Sequence, residues 1–104
     1  MDKKQIIQDA IQSAEAFIEK LKKVEIQPDK YLAVFPDTMM GVRSEGGKAI
    51  FTDEPYDFDS AKIFSNSIIN GHYQYPEIMH HRYYIEKCIQ QQERLLKSLR
   101  LLDA

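Results

Sequence analysis

The segment from Glu77 to Leu102 constrains this chain more than any other. It runs 26 residues without a glycine or proline. Ile78, Ile85, Gln92 and Leu99 recur at spacings of seven, as do His81, Cys88, Leu95 and Leu102 on the adjoining line. Such spacing predicts one long helix with a shallow-angle packing face. Pro76 stands where a first helical residue is expected, because its missing N–H costs nothing there. At about 1.5 Å per residue this helix would be about 39 Å long. A compact chain of 104 residues has a radius of gyration near 13 Å, or a diameter of about 33 Å. The helix is therefore as long as the molecule that must bury it, and it needs a partner of similar length.

Residues 3–24 supply that partner. Ile7, Ile11, Ala14, Ile18 and Leu21 form an apolar stripe, widened by Ile6, Ala10, Phe17 and Val24. Pro28 and Asp29 end it. Between the two helices, "KYLAVF", "TMMGVR" and "KAIFT" read as short strands. They are separated by Pro36-Asp37 and by the glycine pair Gly46-Gly47, whose positive φ angles suit a tight hairpin. A short helix follows, capped by Asp57 or Asp59 and striped by Ala61, Phe64 and Ile68, with Asn70-Gly71 as its stop. The expected fold is α+β: helix, a small antiparallel sheet of two or three strands, short helix, long C-terminal helix. The two long helices pack together in a single domain over 1–104.

Composition narrows the class. A net charge of −2 gives no general attraction to nucleic acid, and the lysines of "IEKLKKVE" are interleaved with acids. No apolar run approaches the length of a membrane span, so no membrane association is expected, and the N-terminus lacks a signal-peptide pattern. The single Cys88 cannot form an internal disulfide, which points to a reducing, cytoplasmic setting.

Asn70 to Lys87 holds all three histidines and four of the six tyrosines. Glu77 has helical i, i+3 and i, i+4 spacing to His80 and His81. A helical carboxylate site needs a second such pair, and structural zinc needs more cysteine, so no metal or cofactor is expected. No nucleophile motif accompanies the histidines, so no catalytic residue is assigned. Tyrosine combines large apolar area with a polar tip and suits interfaces. His72, Tyr73, Tyr75, His80, Tyr83 and Tyr84 are therefore candidate partner-binding residues. The competing reading is that these rings close the protein's own end. The acidic loop of Asp53, Glu54, Asp57 and Asp59 caps a helix or docks a basic partner.

Arg43, Lys48 and Arg82 form a second candidate set, for a small anionic ligand such as a nucleotide, with Tyr73, Tyr75 or Tyr83 stacking on a base. The glycine turn between Arg43 and Lys48 lacks the P-loop pattern. The C-terminal leucines exceed what one facing helix covers. They pack either on the sheet or on a second copy, with Gln92, Leu95, Leu99 and Leu102 at a homodimer contact. The leading expectation is a small non-enzymatic regulatory or inhibitory protein that self-associates through its last helix and binds a protein partner.

Overall fold

The computed structural model describes residues 2–67 and 76–103. Among these residues are three helices and one four-stranded antiparallel sheet. The chain packs as two compact units: Met1–Glu25 with Ile85–Ala104, and Ile26–Tyr84.

The first unit is a helix pair. Helix α1 (Lys3–Lys22) starts at Asp2, whose side chain accepts from the Lys4 N–H at 3.2 Å. Lys20 and Lys22 sit in its last turn, where the helix dipole favours cations. Helix α3 (His81–Asp103) runs antiparallel to it: Gln8 donates to Asp103, and Glu15 faces Arg100 at 3.8 Å. Ile11, Ala14 and Ile18 of α1 bury against Leu96, flanked by Ile7, Ile89 and Leu99. Each such aliphatic side chain contributes about 1.5–3 kcal/mol on burial. The expected pairing of the long helices is present.

The second unit is the sheet with one helix. Strands β1 (Tyr31–Phe35), β2 (Met40–Glu45), β3 (Lys48–Phe51) and β4 (Glu77–His80) lie in the order β3-β2-β1-β4. Helix α2 (Phe58–Ser67) packs on β1, β2 and β4, with Phe64 against Ala33, Phe35 and Val42. Gly46 and Gly47 take φ of 57° and 79°, as a two-residue hairpin closed by Glu45 and Lys48 requires. In the four-residue turn between β1 and β2, Met39 takes the left-handed φ of 53°.

One expected boundary is corrected. Glu77 to His80 are not the first turn of the long helix; they form β4, paired residue for residue with Val34 to Tyr31. Pro76 therefore precedes a strand, and the helix starts at His81. "EIMH" continues the helical spacing in sequence, but β1 offers it a full antiparallel ladder. Of the two proposed caps for α2, Asp57 serves: it accepts from the Ser60 N–H at 3.2 Å and the Ser60 hydroxyl at 2.7 Å.

Candidate functional site

The histidine–tyrosine segment is divided by its secondary structure. His72, Tyr73 and Tyr75 lie outside the described residues, as does the Asn70-Gly71 stop. Glu77 and His80 are three apart on a strand, where alternate residues point to opposite faces, so the helical metal-ligand geometry does not arise. Among the described residues, no three histidine, cysteine or carboxylate side chains gather as a metal site.

His80 is exposed and stands opposite Tyr31 across the β1–β4 ladder, their ring centroids 4.6 Å apart. Phe58 meets Tyr31 edge-on at 5.3 Å. The result is an aromatic group drawn from β1, β4 and the start of α2. Tyr31 and Phe58 were not among the sequence candidates. Tyr31 sat within an apolar run that reads as strand core, and only the ladder reveals its neighbour.

His81 differs sharply from His80. It is 2% exposed, its Nδ1 accepts from the Gln27 N–H at 2.9 Å, and its own backbone N–H donates to Lys30 at 3.0 Å. Burial holds its pKa below the ordinary value. A ring whose Nδ1 accepts a hydrogen bond is neutral with its proton on Nε2.

Tyr84, assigned to the partner-binding set, is also 2% exposed, and its hydroxyl donates to Asp53. The structure corrects that assignment: the ring is spent inside the sheet unit. Tyr83 points outward instead, 47% exposed. Arg82 is exposed one residue earlier.

The acidic loop is largely engaged by its own unit. Asp53 accepts from Tyr84, Glu54 from the Tyr56 hydroxyl at 3.4 Å, and Asp57 from Ser60. Those Ser60 hydrogen bonds hold the Asp57 carboxyl below the usual carboxylate range. Tyr56 exchanges both backbone hydrogen bonds with Tyr31, extending the sheet by one bridge. Arg43 donates to the Tyr56 hydroxyl at 2.7 Å and to Glu45 at 3.0 Å. The Tyr56 bond and the nearby acids raise its already high pKa. Its guanidinium is thus committed to Tyr56 and Glu45, while Lys48 stands exposed across the hairpin. In the β2–β3 register Arg43 pairs with Ile50 and Lys48 with Glu45.

In the helix unit, Cys88 and Leu96 are buried, whereas Leu95, Leu101 and Leu102 are 47%, 72% and 68% exposed. His81, Cys88, Leu95 and Leu102 share a spacing of seven, yet the first two are buried and the last two are not. A straight helix drifts about 20° per heptad against a seven-residue repeat. The line therefore leaves the packed side as it travels. Leu99 is half-buried at the edge of the α1–α3 core. Gln92 is also half-buried; its helical phase lies nearest Leu99, with Ile89 and Leu95 about 60° to either side. One side of the pair forms a groove of about 700 Å³ with charged walls, Glu15, Glu19 and Lys22 from α1 and Glu93, Lys97 and Arg100 from α3.

No family model, curated protein or solved structure matches this chain. No helix among the described residues is long and apolar enough to cross a membrane.

Proposed function

We propose that this chain is a small non-enzymatic interaction protein, cytoplasmic and regulatory in character. It self-associates through α3 and holds a protein partner on the aromatic surface around His80. The observation that carries the reading is the outward exposure of Leu95 and Leu102 on a helix whose other side is already packed; Leu101, also exposed, lies on the groove side. Large apolar side chains gathered on one element of a soluble protein mark a contact surface. Tyr31, Phe58, His80 and Tyr83 support the second contact. Three of them form a contacting ring group, and rigid aromatic rings with polar tips are the usual anchors of protein interfaces. Three titratable groups open to a catalytic reading are hydrogen-bonded locally: His81 by Gln27, Asp57 by Ser60, Asp53 by Tyr84.

The test of self-association is light scattering coupled to size exclusion at micromolar concentration. The expected mass is a multiple of the 12.2 kDa chain. A single species at 12.2 kDa would sink that part of the reading. For the partner surface, the chain immobilised from its N-terminus is expected to retain a protein from its own cells. A Phe58→Ser, Tyr83→Ser variant of unchanged circular dichroism is expected to lose it. Retention by the variant would remove the aromatic group as the contact.

A further inference from the structure

The exposed leucines of α3 have counterparts on α1. In α1 the buried residues Ile11 and Ile18 are each preceded by an apolar residue, Ala10 and Phe17, and Ile6 likewise precedes Ile7. Ile6 and Phe17 are eleven residues apart, about three full turns at about 3.6 residues each, so they share a line. They are 51% and 42% exposed. In α3, Leu95 precedes buried Leu96, and Leu102 precedes Asp103, which faces Gln8. Successive residues turn by about 100°. In an antiparallel pair, residues that precede core positions therefore fall on the same face of both helices, and residues that follow them fall on the opposite face. The groove agrees: Glu15, Glu19 and Lys22 follow Ala14, Ile18 and Leu21, and Lys97 follows Leu96.

The two faces differ in chemistry. Between Ile6 and Phe17 the preceding positions are Ile6, Ala10, Ser13 and Phe17; between Gln91 and Leu102 they are Gln91, Leu95, Ser98 and Leu102. None is charged. Lys20 and Lys87 occur at the end of this face, whereas the opposite face carries the charged groove, with Leu101 the one strongly exposed leucine beside it among the described residues.

From this segregation we infer that the uncharged α1–α3 face docks the same face of a second copy, forming a two-fold four-helix bundle. The inference rests on the proposed self-association and adds α1 to it as an equal contributor. Size supports a second copy as the occupant. Helix α1 is about 30 Å long, and two helices packed about 10 Å apart span about 20 Å, close to the patch that a standard interface of about 800 Å² per partner needs. Identity also fits. A flat face without charge meets itself without repulsion, as a two-fold contact requires, and helix pairs of this length close naturally into bundles.

The chain contains no tryptophan, so a single introduced indole reports its own surroundings. Phe17→Trp and Leu102→Trp each place an apolar indole on the uncharged face, and Lys97→Trp on the charged face is the control. Dilution from about 100 μM to about 0.1 μM is expected to shift the emission of the first two to the red as the face is released to water. The control is expected to stay fixed. In parallel, Ile6→Glu/Phe17→Glu and Leu95→Glu/Leu102→Glu are each expected to sediment as monomers with helical circular dichroism. A wild-type dimer in which only the α3 pair matters, with Phe17→Trp unchanged on dilution, overturns the bundle but leaves self-association through α3. A wild-type monomer overturns both. The same red shift at Lys97→Trp would place the contact on the charged groove instead and overturn the assignment of the face.

Discussion

His81 shows how one buried ring couples stability to pH. Its folded pKa lies below the ordinary value of about 6.5, so the unfolded chain takes up a proton first as the pH falls. Protonation at Nδ1 also breaks the bond from Gln27. The contribution of this residue is therefore complete above about pH 6.5 and is lost as the pH drops toward the folded pKa. Replacing it with asparagine keeps an acceptor near Gln27 and removes the titration. His81→Asn is expected to be less stable than the wild type near pH 7.5. Its stability is expected to fall less steeply between about pH 6.5 and 5, the slopes differing by up to about 1.4 kcal/mol per pH unit. Parallel urea-denaturation curves across that range check this, and equal slopes would show that His81 takes up its proton equally in the folded and unfolded states. Asp57 acts in the same direction at lower pH: its lowered pKa contributes stability above the usual carboxylate range that is lost in acid. The difference between variant and wild type isolates the histidine.

At the scale of elements, Gly41 ties β2 to the end of β3. Its carbonyl accepts from the Thr52 N–H at 2.9 Å, and a Cβ placed on Gly41 would lie 2.2 Å from the Thr52 carbonyl oxygen. That oxygen belongs to the backbone and yields only if the strand moves. Gly41→Ala is expected to cost about 2 kcal/mol or more, a fall in Tm of about 10 °C for a chain of this size. A thermal melt followed by circular dichroism decides it; a shift of under a few degrees would mean that Thr52 is free to move aside. The elements also show where sequence reading succeeds. The amphipathic stripe of α1 and the Gly46-Gly47 hairpin are local patterns, and both are realised. The lower boundary of α3 is not local. Ile78 and Met79 suit a helix or a strand equally, and the ladder to β1 decided between them.

For the whole molecule, the segregation of charge makes a prediction about salt. A contact built on Ile6, Phe17, Leu95 and Leu102 excludes the charged groups of the opposite face, so screening has little to act on. The dissociation constant of the proposed dimer is expected to change by less than about threefold between 50 mM and 500 mM sodium chloride, since exposed charges add little to such a contact. Association through Glu15, Glu19, Lys97 and Arg100 would weaken markedly over the same range. Sedimentation equilibrium at the two concentrations distinguishes them.

By itself the sequence determined what depends on near neighbours: two long helices, a glycine hairpin, a capped short helix, and more leucine in α3 than one helix face can cover. Those features follow from periodicity and backbone preference within a few residues. Tertiary structure alone decided which residues are left outside. His80 and His81 adjoin in the chain, yet one is exposed beside Tyr31 and the other is buried against Gln27. Tyr83 and Tyr84 separate in the same way: Tyr84 is buried with its hydroxyl on Asp53, thirty-one residues away, and Tyr83 is exposed. Ile6 and Phe17 read as part of the core stripe and are exposed, because antiparallel packing against α3 covers a narrower arc than the stripe spans. Burial is a property of pairs of distant segments, and a single chain's pattern carries only one member of each pair.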